Sequence, residues 1–143
     1  MTEVSFHFNV PDTQGYACRL LRKATRQGAR VTVTGEAAAL AGLDLALWSF
    51  DPIEFLPHVL LRRGEAVAER LRATPVCLAE DLSGALHHDV LVNLGSEAPP
   101  GFESFARVIE VVSTDAQDRA AARERWKHYA ARGYAIERHE VAA

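Results

Sequence analysis

The chain has 143 residues, with 16 Lys and Arg against 19 Asp and Glu and a formal net charge of -3. That length buries a core without disulfide or metal staples, and the acidic balance excludes a protein whose main task is to coat a phosphate backbone. Met1-Thr2-Glu3-Val4-Ser5 lacks the basic segment and apolar run of a signal peptide, and no stretch nears the roughly 20 apolar residues of a membrane span. A cytoplasmic chain is therefore expected. Cys18 and Cys77 stand far apart without a C-x-x-C motif and are expected as buried, reduced thiols.

Val4-Ser5-Phe6-His7-Phe8 alternates and then meets Pro11-Asp12, which predicts a first strand ending in a turn. Tyr16, Leu20, Leu21 and Ala24 then recur at helical spacing, and Gly28 supplies a stop. A β-branched strand over residues 30–34 precedes an Ala- and Leu-rich helix over 36–47. This β-α-β-α order opens a wound α/β sheet. Pro52 and Pro57 punctuate residues 48–61, which read as an ordered loop rather than a linker. A short helix over 66–72 leads to strands at 75–79, 89–94 and 107–112. The second of these is almost continuously apolar, as suits a central strand covered on both faces. No repeat, low-complexity segment or domain boundary interrupts the chain, so one domain over 1–143 is expected.

The last helix, over 114–133, carries the clearest punctuation. Thr114-x-x-Gln117 fits a capping box, Asp115 and Asp118 suit the positive end, and Arg132-Gly133 suits the C-terminal end. Arg119, Arg123, Trp126 and Lys127 fall at i, i+4, i+7 and i+8 and share a face. That face fits an anionic, partly apolar peptide. Ala122, Trp126, Tyr129, Ala130 and Gly133 make an apolar stripe expected to face the sheet, with Trp126 on the border between the two.

Chemistry elsewhere is sparse. The first strand-to-helix turn, Asn9 to Gly15, lacks both the G-x-G-x-x-G and the G-x-x-x-x-G-K-[ST] phosphate cradles, so no nucleotide cofactor is expected. Asn93-Leu94-Gly95-Ser96 reads as a connector, with a small-molecule pocket near Asp12, Gly95 and Ser96 as the rival reading. His87 and His88 are neighbours that point apart in an extended segment, and read as surface turn residues rather than metal ligands. His58, after Pro57, reads as a structural histidine. No nucleophile stands beside a base. Trp48, Phe50, Phe55 and Leu56 concentrate apolar surface on a proline-bearing loop, as core or as a protein-protein anchor.

The chain resembles the chi subunit of bacterial DNA polymerase III, an accessory subunit of the clamp-loader assembly. The resemblance runs through Cys18, Gly28, Arg30-Val31, Leu43-Asp44-x-Ala46-Leu47-Trp48 and Glu54-Phe55-x-Pro57-His58. It continues through Asp89-Val90-Leu91-Val92-Asn93-Leu94, Glu110-Val111-Val112 and Ala122-Arg123-Glu124-Arg125-Trp126-Lys127-x-Tyr129. It implies a non-catalytic adaptor with a wound, mostly parallel central sheet and helices on both faces, Rossmann-like but without a nucleotide site; no metal site is expected from the residues.

The implied partners are the acidic C-terminal tail of single-stranded-DNA-binding protein (SSB), which ends in Phe with a free carboxylate, and the psi subunit or a helicase-like protein. Carried over by position, the tail-binding residues are Arg119, Arg123, Trp126 and Lys127, and the psi-side residues are Trp48 and Phe55. Trp126 stands where the family commonly has Tyr, keeping the ring and losing the hydroxyl. The connection between Val112 and Asp115 is shorter than in better-known members, which leaves an apolar contribution from that segment open.

Overall fold

The computed structural model describes residues 2–49, 56–61 and 73–141; Phe50, Phe55 and the helix expected over 66–72 lie outside the described residues. The elements run β1 (Glu3–Val10), α1 (Thr13–Arg26), β2 (Val31–Thr34), α2 (Ala37–Ser49), β3 (His58–Leu61), β4 (Val76–Ala79), β5 (Val90–Asn93), β6 (Arg107–Ser113), α3 (Ala116–Ala131) and β7 (Ile136–Glu140). They form a seven-stranded sheet ordered β3-β4-β2-β5-β6-β1-β7. Every pairing is parallel, where the sequence led us to expect mostly parallel strands.

Residue type explains the layering. β2 and β4 are buried at every position and sit inside the sheet, because Val, Thr, Cys and Leu fit a strand covered on both faces. On one face α1 and α2 lay Ala17, Cys18, Leu21, Leu40, Leu43 and Leu47 against Val31, Val33, Val76, Leu78, Val92, Ile109 and Val111. On the other face α3 lays Ala122 and Tyr129 against Val4, Phe6, Leu91, Val108 and Val112, with Phe102 and Phe105 beside them. Cys18 belongs to the first face and Cys77 to a small cluster with Leu61 and Ala79; both are free and buried. Burial pushes the Cys77 thiol up to about 11, which keeps it protonated and unreactive.

Strand β1 runs two residues beyond the apolar alternation seen in the sequence. Asn9 takes a φ of 64°, a left-handed conformation that Asn tolerates better than most residues. There the register with β6 slips between His7 and Val10. Phe6 consequently faces α3 while Val10, four residues on, enters the α1/α2 core.

Two strands correct the sequence reading. β3 occupies the end of the segment read as a loop, a four-residue edge strand paired only to β4. β7, Ile136–Glu140, follows α3 and pairs with β1 at the opposite edge. Its charged, exposed side chains conceal it from an apolar pattern, as edge strands often do.

Candidate functional site

Helix α3 starts one residue later than a Thr114 cap requires. Asp115 is the cap: its carboxylate accepts from the backbone N–H groups of Gln117 and Asp118, both at 3.1 Å. Asp118 accepts in turn from Ser113 N at 2.9 Å, tying the helix start to the end of β6. Gly133, at a φ of 80°, ends the helix as expected. The face toward the sheet differs from the expected stripe. Ala130 and Gly133 are exposed, and Arg125 is buried between Ala122 and Tyr129.

Arg125 meets Glu110, which interrupts the apolar run of β6. Arg125 Nε donates to Glu110 Oε1 at 2.9 Å and Nη1 donates to Ser96 O at 3.0 Å. Tyr129 Oη donates to Glu110 Oε2 at 2.5 Å, and Asn93 Nδ2 donates to both Glu110 oxygens at 2.9 and 3.1 Å. Burial pushes the Glu110 carboxyl above its ordinary range, against the pull of Arg125, Tyr129 and Asn93. Burial and then the adjacent Glu110 carboxylate raise the Tyr129 phenol, so it stays a donor. A buried charge pair demands this one geometry, because moving either partner leaves a charge without its counterion.

With Arg125 turned inward, its neighbours on the helix are turned outward over a cavity of about 430 Å³. Phe6, Phe8, Val112, Ala122 and Trp126 give it an apolar lining, and Arg119, Arg123, Lys127 and Arg138 add four cations. None of these lining residues is acidic. The Phe6 and Trp126 rings pack 5.1 Å apart, and the Arg138 guanidinium lies 4.9 Å from the Phe8 ring centroid. Lys127 Nζ lies 3.4 Å from Glu124 Oε1 in a largely exposed pair that costs little to break. All four residues named from the sequence, Arg119, Arg123, Trp126 and Lys127, thus line one cavity, and Val112 contributes despite the short connection after it. The volume falls within the ~300–1,000 Å³ of small-ligand sites. Chemically it fits a ligand with an apolar group to bury and carboxylates to pair.

Trp48 sits elsewhere, at the end of α2 on the opposite face of the sheet. It is 59% exposed, Leu45 one turn earlier is 71% exposed, and the His58 ring lies edge-on to Trp48 at 4.9 Å. His58 is also anchored: Nδ1 lies 2.7 Å from Leu56 O and Nε2 lies 3.1 Å from Asp44 Oδ1. Phe55, named with it from the sequence, lies outside the described residues.

The residues of the rival site near Gly95 have structural partners. A Cβ at Gly35 would come within 3.3 Å of Leu94 Cβ, so the β2–α2 turn closes directly on the β5 exit. Asn93 Oδ1 accepts from Gly95 N at 2.8 Å, and Asp12 caps α1 through Gly15 N at 3.1 Å. His88 is exposed beside Ser104, but His87 is buried rather than a surface residue, and burial lowers its pKa. Among the described residues no three His, Cys, Asp or Glu side chains are grouped to hold a metal ion, and no helix is long and apolar enough to cross a membrane.

Phe6, Phe8, Arg138, Arg125 and Glu110 escaped the sequence reading of the site. Phe6 and Phe8 stand two apart on a strand and therefore share a face, and Glu110 is a lone carboxylate in a buried strand that needs a partner. Those two signals were available. Arg138 gave none, because its strand was not recognisable.

A parallel α/β sheet without phosphate-binding glycines, carrying a cation-rimmed apolar pocket on its last helix, defines a Rossmann-like α/β domain. The family model of the DNA polymerase III chi subunit, HolC, matches residues 1–137, and the chain belongs to this family. It is 37% identical over 126 residues to the DNA polymerase III subunit chi of Pseudomonas aeruginosa, covering 87% of this chain and 84% of that protein. It is 33% identical over 127 residues to the DNA polymerase III subunit chi of Haemophilus influenzae, covering 87% and 85%. Family membership gives the chain an accessory role in DNA replication.

Proposed function

We propose that this chain is a one-domain, cytoplasmic adaptor without cofactor or catalytic step, which takes the acidic C-terminal tail of SSB into the α3 pocket. It uses Trp48, at the exposed end of α2, together with Phe55 for a second protein, psi or a helicase-like substitute that links it to the clamp loader. The observation that carries the reading is the convergence of Arg119, Arg123, Trp126 and Lys127 on a single apolar-floored cavity with no acidic lining residue. Guanidinium groups offer forked donors to carboxylates, and the aromatic floor offers an apolar side chain somewhere to bury.

The test is a fluorescence-anisotropy titration of a labelled SSB-tail peptide from the source organism against wild type, Arg123→Ala and Lys127→Ala. Charge-assisted hydrogen bonds of this kind contribute roughly 1–3 kcal/mol, so each variant is expected to bind about tenfold more weakly or worse. Unchanged affinity in both folded variants removes α3 from the site.

A further inference from the structure

Among the described elements, α1 packs over β2 and β6 more than over β1 and β7, so its flank looks onto the β1–β7 end of the sheet. There His7 and His139 are register neighbours on one face, with their rings 4.8 Å apart. The row continues onto α1: the Tyr16 ring meets His7 edge-on at 5.8 Å, its hydroxyl contacts His7 Nδ1, and the Arg19 guanidinium lies 6.0 Å from the Tyr16 ring centroid. Three rings and a guanidinium thus run unbroken across β7, β1 and α1.

Cations extend this row. Arg19 and Lys23 stand four residues apart on α1, a rise of about 6 Å, and Arg107 opens β6 on the same face as His7, because Ile109 and Val111 alternate toward α1. All three are exposed, and among the described residues none of them is in an ion pair. Helix α1 contains no acidic residue, and beyond burial every group that acts electrostatically on the His7 ring is a base: His139, Arg107 and Lys23. Glu3, the register neighbour of Arg107, and Glu137 bound the patch toward the strand starts.

Cations alone accept any polyanion, an acidic peptide included. The rings narrow the class, because partly exposed aromatic faces stack on nucleobases while neighbouring cations take the phosphates. Replication exposes single-stranded DNA, and this chain belongs to a family with a role there. Independently of the α3 pocket, we propose that Tyr16, His7 and His139 with Arg19, Lys23 and Arg107 form a sequence-nonspecific contact site for single-stranded DNA on the opposite face of the sheet. A few phosphate contacts fall far short of coating a strand, so a chain of net charge -3 accommodates such a site locally.

The experiment is a fluorescence-anisotropy titration of a labelled oligothymidylate with the full chain: wild type, the double variant Lys23→Gln with Arg107→Gln, Tyr16→Leu, His139→Ala and Arg123→Gln, with thermal melts to establish folding. Three phosphate contacts predict a slope of log affinity against log salt near about -2, a loss of roughly twentyfold between about 50 and 200 mM salt. The double variant is expected to bind about tenfold more weakly at low salt, with a slope near about -1, and to keep the SSB-tail peptide. Tyr16→Leu is expected to lose about fivefold or more with the slope unchanged, and the exposed His139→Ala carries the same expectation should Tyr16→Leu not fold. Arg123→Gln should bind the oligonucleotide like wild type. Absence of binding by wild type at low salt, or a loss in Arg123→Gln in place of the double variant, overturns the assignment. Full affinity in the ring variants, or displacement of the oligonucleotide by duplex DNA or an acidic peptide as readily as by unlabelled single strand, reduces the surface to a polyanion patch and overturns it equally.

Discussion

The two faces of the sheet are filled with different chemistry. Under α1 and α2 the core is aliphatic, built from Val31, Val33, Leu40, Leu43, Val76 and Leu78. Under α3 it is aromatic and charged, with Phe6, Phe102, Phe105 and Tyr129 packed around the Glu110–Arg125 pair. Aliphatic burial is non-directional, so a helix held only by it can shift at modest cost. A buried ion pair with further hydrogen bonds accepts one arrangement, so it sets the height and rotation of α3. Arg123, Trp126 and Lys127 lie within two residues of Arg125, and the pocket inherits that precision. The charged face is therefore the one that presents the site.

The largest effect is expected where that face is cut. Glu110→Ala leaves Arg125 buried without its counterion and is expected to lower stability by about 3–5 kcal/mol, measured by urea unfolding. The double replacement Glu110→Leu with Arg125→Met sharpens the comparison, because an apolar pair of similar volume is often neutral or stabilising. It should recover most of the loss and still bind the tail peptide more weakly than wild type. Full affinity in a stable double variant would show that the charge pair does not position α3.

A smaller effect belongs to the other face. His7 on β1 packs against Tyr16 of α1 and His139 of β7, with a hydrogen-bond contact between His7 Nδ1 and the Tyr16 hydroxyl, and feels the charges of Lys23 and Arg107. Burial first, then the positive groups His139, Arg107 and Lys23, lower its pKa from 6.5 to about 4. The folded chain thus holds this ring neutral where the unfolded chain would protonate it. Its contribution to stability is complete above pH 6.5 and is lost as pH falls toward 4. After solvent screening of a half-buried ring, this amounts to about 1–2 kcal/mol. Urea titrations at pH 7.5, 6 and 4.5 should show that drop in wild type and a flatter profile in His7→Phe. Parallel profiles would place the acid sensitivity elsewhere.

The smallest effect on stability is expected at Trp48. Because its side chain is largely exposed, Trp48→Ala should change unfolding free energy by only about 0.5 kcal/mol. The same variant should keep the tail peptide and lose the second partner in a pull-down, since hot-spot truncation costs about 2 kcal/mol or more. A melt far below wild type would return Trp48 to the core.

Much of this architecture was legible before the structure. β1, β2, β4, β5 and β6 follow apolar or β-branched runs, and α3 is written in its cap, its Gly133 stop and its cation spacing. The strands that escaped are both edges. β3 has four residues after a proline, and β7 reads Ile-Glu-Arg-His-Glu, a pattern that only pairing with β1 explains. With β7 unseen, Arg138 could not be placed, and the site appeared as one helix flank rather than a cavity between helix and sheet. The omission of Arg125 from the buried stripe has a different origin. Arg125 shares the buried stripe of Ala122 and Tyr129 at i, i+3 and i+7, but a charged residue joins an apolar stripe only with a buried partner, which Glu110 supplies.

The α3 pocket is expected to bind an apolar end as well as negative charge. The most direct measurement compares the affinity of the intact SSB-tail peptide with that of the same peptide lacking its final Phe, whose new terminus still carries a carboxylate. Burying a Phe side chain contributes roughly 1.5–3 kcal/mol, so the shortened peptide should bind about tenfold more weakly or worse. Equal affinity for the two peptides would contradict this and reduce the pocket to a nonspecific basic patch.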